Sequence, residues 1–132
     1  LGAARPLDYG HWAAHKLELL SNHRLSHGHA VAIGIALDAL YAACIGLLPE
    51  AQALRLLRTL RTCGLPVTAP ECVLKNRRGH LVLLDGLEEF RAHLGGELTL
   101  TLPAPLGSRS EIHSVDETLM ADCILELSRL KC

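Results

Sequence analysis

The chain has 132 residues, enough for one ordinary domain that buries roughly two thirds of its unfolded surface and too few for two separate cores. Apolar residues make up 49% and aromatics only 3%, so the core must be built from Leu, Ala, Val and Ile, a palette that favours packed helices over a β-sandwich. A formal net charge of -1, with the basic residues scattered rather than gathered into a stripe, excludes the electrostatic footprint of a nucleic-acid binder.

In chain order, the spacing of Trp12, Leu17, Leu19 and Leu20 among His11, His15 and Lys16 predicts a helix from Tyr9 to about Asn22. A second helix is expected from near His27 to Leu48, apolar on nearly all sides and therefore central. It is broken by Gly34, Asp38 and Gly46, and a charged Asp at its middle is costly in lipid, so it reads as a core helix and not as a membrane span. From Pro49, Leu54, Leu57 and Leu60 alternate with Arg55, Arg58 and Arg61 in an amphipathic surface helix that Gly64 ends in a left-handed cap. Pro66 and Pro70 mark a loop, and the run Lys75, Asn76, Arg77, Arg78, Gly79 reads as an exposed turn or helix end.

Leu81 to Leu94 is expected to be helical, ending at Gly95 and Gly96. The alternating segment ELTLTLP then has the period of a strand with one buried face, and a partner at Ser110 to His113 closes a small hairpin. Ser114 and Glu117 have the spacing of a capping box before a last helix from Val115 to Leu130. With no repeat, low-complexity tract or linker, residues 1–132 are expected to form one domain, mainly α with several helices and a small β-hairpin.

Cys44, Cys63, Cys72, Cys123 and Cys132 are an odd set without CxxC spacing, which argues against a disulfide framework and a thiolate zinc site. Reduced thiols in a cytoplasmic protein are the simplest reading. No secretory signal is recognisable, and a start at Leu1 without Met leads to the expectation of processing or of a piece of something longer.

Five of the eight histidines fall between His11 and His29. His11 and His15 are four apart, so on a helix both rings leave one face and can converge on one cation, and neutral imidazole suits zinc, iron, cobalt or nickel. By spacing alone, such a pair in an Ala- and Leu-rich helix is more often solvent-facing or hydrogen-bonded than metal-bound. His27 opens the central helix, and Gly28 beside it lets the backbone pass close to whatever that ring holds. Glu18 has two readings, an acceptor that orients a histidine or a surface carboxylate paired with a nearby cation.

The segment LDYGHWAAHKLE followed by LSHGHAVAIGIALDA resembles the GHxxxHxxE and HGExVxxG signatures of dehydroquinate synthases and the wider sugar-phosphate cyclases, with the matching separation of sixteen between His11 and His27. RTCGLPV, GGELTLTLPAPLG and VDETLM extend the likeness, more weakly, over essentially the whole chain. The resemblance implies a C-terminal helical metal-binding domain in which His11 and His27 hold a divalent metal, zinc or cobalt, and His15 lies near substrate. Asp8 stands in place of the family's Asn and is carried over as a catalytic candidate; Arg5, one position from the usual active-site Arg, and Arg91 are carried over as substrate-binding candidates. His29 replaces the Glu of HGE, and Phe90, Arg91 and Ala92 occupy the region of the family's paired lysines.

The resemblance also implies partners: an N-terminal half that binds NAD and supplies a third ligand, a Glu, and a sugar-phosphate substrate that is transiently oxidised and loses phosphate. No Gly-rich phosphate loop occurs in this chain, so NAD is expected only in the full-length parent and the chain alone is expected to be inactive. Two rivals stand beside the cyclase: an iron-containing alcohol or glycerol dehydrogenase, whose histidine spacing fits less well, and a non-catalytic helical assembly module. A domain parted from its other half is expected to expose an apolar face and to associate as a homo-oligomer.

Overall fold

The computed structural model describes residues 11–105 and 108–130. Within them the elements run α1 (His11–Leu20), α2 (His27–Cys44), α3 (Glu50–Thr62), two short 3-10 turns (Pro70–Val73 and Val82–Leu84), α4 (Asp85–His93), β1 (Leu100–Pro103), β2 (Arg109–Ile112) and α5 (Glu117–Arg129). The mainly helical class with one antiparallel hairpin matches the expectation from composition and periodicity.

The central helix is α2, packed by α1, α3, α5 and β1. Long and apolar enough to cross a bilayer, it is nonetheless more than half buried within the protein, as a core helix is. The Ser26 side chain caps its start, accepting from the His29 N–H at 3.1 Å. Its end falls at Cys44, not at Leu48, because Gly46 adopts φ 84° and two bonds close the helix: Gly46 N–H to the Ala43 carbonyl at 3.2 Å and Leu47 N–H to the Ala42 carbonyl at 2.9 Å. The glycine that looked like an interruption is the stop signal, and Gly64 ends α3 by the same pair of bonds.

Between α1 and α2 the backbone turns through two left-handed residues, Asn22 (φ 52°) and His23 (φ 63°). Asn tolerates this region because its short polar side chain can bond locally; His does so less readily. The turn is held by the buried Ser21, whose hydroxyl accepts from the Leu25 N–H at 3.2 Å.

Three expectations are corrected. Residues 81–94 do not form one helix: the chain makes a 3-10 turn at Val82–Leu84 before α4 begins at Asp85. No Ser114–Glu117 capping box forms, because Asp116 takes the N-cap position, its carboxylate accepting from the Leu119 N–H at 3.1 Å, and Glu117 becomes the first helical residue. A carboxylate next to the positive end of the helix dipole outcompetes a more distant hydroxyl. Finally, β1 is buried on both faces, since Thr101 is as enclosed as Leu100 and Leu102, while β2 carries the solvent-facing side of the hairpin. The pairing register is Leu100 to Ile112 through Pro103 to Arg109, one residue earlier than expected on the second strand.

The run from Lys75 to Gly79 is an exposed turn, organised by the Asn76 carboxamide, which accepts from the Arg78 and His80 N–H groups. The core gathers Trp12 and Leu17 of α1, Ile33 and Leu37 of α2, Leu102 of β1, and Met120, Ile124 and Leu127 of α5.

Candidate metal centre

His11 and His27 open α1 and α2 respectively, and the fold brings their rings together, with centroids 5.9 Å apart and planes inclined by 51°. Two imidazoles bound to one tetrahedral ion at about 2.0–2.1 Å would have centroids roughly 5 Å apart, so little movement is needed for them to share a cation.

Each ring has a distinct environment. His11 Nδ1 is buried and has no hydrogen-bond partner among the described residues. A buried ring nitrogen left unsatisfied costs free energy, and cation ligation is one way to recover it. The His27 side chain is 64% exposed, and its Nδ1 lies 2.9 Å from Oε2 of Glu18. A carboxylate can only accept, so Nδ1 carries the proton and, in the neutral ring, Nε2 is left with a lone pair, as in carboxylate–histidine–metal arrangements. Glu18 thus has His27 as its partner, a contact that suits an orienting acceptor and, with the ring protonated, equally a carboxylate paired with a cation.

Among the described residues no group of three or more His, Cys, Asp or Glu side chains converges to hold a metal. His11 and His27 by themselves could supply two nitrogen donors to a cation, and no third such side chain joins them among the described residues. His29 is exposed in the first turn of α2.

His15, one turn after His11, is exposed and lines an open cleft of about 440 Å³ between α1 and α4, with His11 and Trp12 on one wall and Phe90 and His93 on the other. Across it, Lys16 Nζ bonds Glu89 Oε2 at 2.8 Å. Sequence reasoning missed this pair, because 73 positions separate its members and neither carries a motif. His93, exposed at the end of α4, stands at the edge of the same cleft.

The walls can approach because Gly86 sits against α1. A Cβ there would lie 2.7 Å from the Trp12 carbonyl oxygen and 3.1 Å from Lys16 Cβ.

Arg91 is also on α4 but is engaged locally: its guanidinium pairs with Glu88 and donates to the Gly96 carbonyl at 2.7 Å. The pair with Arg91 holds the Glu88 carboxyl below its ordinary range. Arg5 and Asp8 lie outside the described residues.

Fold and site together define a helical domain that offers two imidazoles, one of them oriented by a carboxylate, beside an open cleft. Residues 1–83 match the family model described as 3-dehydroquinate synthase C-terminal. The chain belongs to the 3-dehydroquinate synthase C-terminal family. It is 46% identical over 70 residues to the 3-dehydroquinate synthase of Tropheryma whipplei (strain TW08/27), covering 53% of this chain and 18% of that protein. It is 31% identical over 114 residues to the 2-epi-5-epi-valiolone synthase of Streptomyces glaucescens, 86% of this chain and 28% of that one.

In structure it superposes with a TM-score of 0.83 and 28% identity on ValA, the 2-epi-5-epi-valiolone synthase from Streptomyces hygroscopicus subsp. jinggangensis 5008, solved with NAD+ and Zn2+ bound. That match covers 94% of this chain and 33% of ValA. The chain thus spans a third or less of each of these relatives.

Proposed function

We propose that this chain is the metal-binding half of a sugar-phosphate cyclase, a carbon–oxygen lyase that works only with a preceding NAD-binding half. The observation that carries the reading is the pairing of His11, with its unsatisfied buried Nδ1, and His27, held by Glu18, with ring centroids 5.9 Å apart. Support comes from the family match and from the NAD+ and Zn2+ bound in ValA, whose length extends well beyond the part this chain matches.

In this reading His11 and His27 hold a divalent cation, zinc or cobalt, which when bound polarises substrate oxygens as a Lewis acid. NAD, held by the other half, supplies hydride chemistry. The chain's own residues do the rest. Glu18 fixes the tautomer and direction of His27. His15, free of the core and facing the cleft, exchanges protons with the bound sugar phosphate, with Asp8 as a second catalytic group. Arg5 and Arg91 meet its anionic groups, Arg91 by exchanging its Glu88 partner for substrate. The protein is cytoplasmic and assembles as a homo-oligomer, for which exposed Leu19, Leu54 and Leu94 supply apolar surface.

The test is a phosphate-release assay on the full-length parent protein with NAD and zinc over a panel of sugar phosphates. Turnover is expected with at least one of them, and His15→Ala should lower kcat by about 10²–10⁴-fold. A protein that binds both NAD and metal but releases no phosphate from any member of the panel contradicts the cyclase reading and favours the assembly module.

A further inference from the structure

Cys44 is the last residue of α2 and Cys123 lies in the second turn of α5. Their sulfurs are 3.8 Å apart across 79 positions of sequence. Cys44 is exposed and Cys123 is buried, and among the described residues both are free thiols. We propose that Cys44 and Cys123 are a reversible disulfide site, closed by exchange with a small-molecule disulfide, that staples α5 to the C-terminal end of the central helix.

Geometry favours closure. A disulfide needs its sulfurs at about 2.0 Å, so the two must approach by less than about 2 Å, a distance within reach of side-chain rotation. The helices that carry them are registered independently of the thiols: the Asp116 N–H donates to the Tyr41 hydroxyl at 3.0 Å. Tyr41 is one turn before Cys44 on α2, and Asp116 is the cap two turns before Cys123 on α5. This bond keeps the sulfurs adjacent in the reduced protein, so closing the ring requires little further ordering.

The two environments set the order of events. Cys44, at the surface, gives up its proton and its thiolate attacks one sulfur of a disulfide RSSR; the S–S bond breaks, and the departing RS⁻ takes up the proton to leave as RSH. Cys123 then loses its proton, and its sulfur attacks that of Cys44 in the mixed disulfide, expelling a second RSH. Two protein thiols are oxidised and one small disulfide is reduced to two thiols. Burial, reinforced by the neighbouring Cys44, pushes the Cys123 thiol up to about 12, so it reacts poorly with outside reagents. Capping Cys44 removes the repulsion from its thiolate while burial still holds the Cys123 thiol up, so the second step relies on the closeness of the two sulfurs.

The site is independent of the metal centre. Cys44 is 17 residues along α2 from His27, about 26 Å along the helix.

Incubation of the chain with oxidised glutathione at about pH 8, followed by non-reducing peptide mapping by mass spectrometry, tests the site. The expected product has lost two hydrogens, links the Cys44 and Cys123 peptides, returns to the starting mass with dithiothreitol, and melts at least about 5 °C higher. Cys44→Ser, a change at an exposed position, should abolish both the link and the shift in melting temperature, while Cys63→Ser should leave both intact. Accumulation of Cys44 as a stable glutathione adduct with Cys123 still reduced overturns the proposal. So does cross-linking that runs through Cys63, Cys72 or Cys132 in place of this pair.

Discussion

The indole N–H of Trp12 donates to Oδ1 of Asp38 at 2.9 Å, inside the core and across the interface between the first two helices. Trp12 follows His11 directly, so the bond that satisfies the buried indole also fixes the face of α1 from which the first histidine projects. Asp38→Ala should cost about 1–3 kcal/mol by leaving the indole donor unsatisfied, whereas Asp38→Asn, which keeps a carbonyl acceptor, should cost less. Denaturant melts of both variants check the ranking. Equal losses would mean that the hydrogen bond is not what holds the interface.

In the proposed site, Glu18 would act on the metal through the hydrogen bond it accepts from His27 Nδ1. Glu18→Ala should weaken zinc binding by about 10–100-fold, and Glu18→Gln by less, since the carboxamide oxygen still accepts from Nδ1. Calorimetric titration of the full-length parent protein measures this. If Glu18→Ala bound zinc as tightly as the unaltered protein, the carboxylate would be a surface neighbour only.

Gly86→Ala would ordinarily stabilise a helix by about 1 kcal/mol. Here the added Cβ meets the Trp12 carbonyl oxygen, a backbone atom that cannot move alone, so a net loss of about 1–3 kcal/mol is expected. A raised melting temperature in this variant would show that α4 yields and that the cleft is looser than described.

The pair Arg24–Glu71 ties the connection before α2 to the short turn at Pro70–Val73. Its hydrogen bond holds the Glu71 carboxyl below its ordinary value of 4.5. A depressed carboxylate contributes stability above its unfolded value and loses that contribution as the pH falls through the folded one. With Arg24 more than half exposed, Arg24→Ala should cost only about 0.2–1 kcal/mol at neutral pH, and the difference from the unaltered chain should vanish in strong acid, once the Glu71 carboxyl is protonated in the folded chain. A difference that persisted there would point to lost packing rather than lost charge.

Much of this organisation was legible in the residues. Near-continuous hydrophobicity marked α2 as central, Leu and Arg periodicity marked α3, and alternation marked β1. His11 and His27 were legible as a pair because helix starts and spacing are local properties and because the motifs around them resemble a known family. What escaped depended on long-range packing or on competition between neighbours. Gly46 was indistinguishable by composition from Gly34, which lies buried inside the same helix; only the left-handed backbone at Gly46 separates stop from continuation. Ser114 was read as the cap of the last helix, but Asp116 takes that place, where its own N–H is held by the Tyr41 hydroxyl of α2, a contact 75 positions away that no local pattern announces. The cleft between α1 and α4, with Lys16 facing Glu89, could not be read from either segment alone.

The most direct measurement is anomalous scattering at the zinc edge from crystals of the full-length parent protein grown with zinc. A peak bonded to ring nitrogens of both His11 and His27, and lost in His11→Ala and His27→Ala, is the predicted result. Stoichiometric zinc bound elsewhere, with those two rings still side by side and unligated, would contradict the assignment.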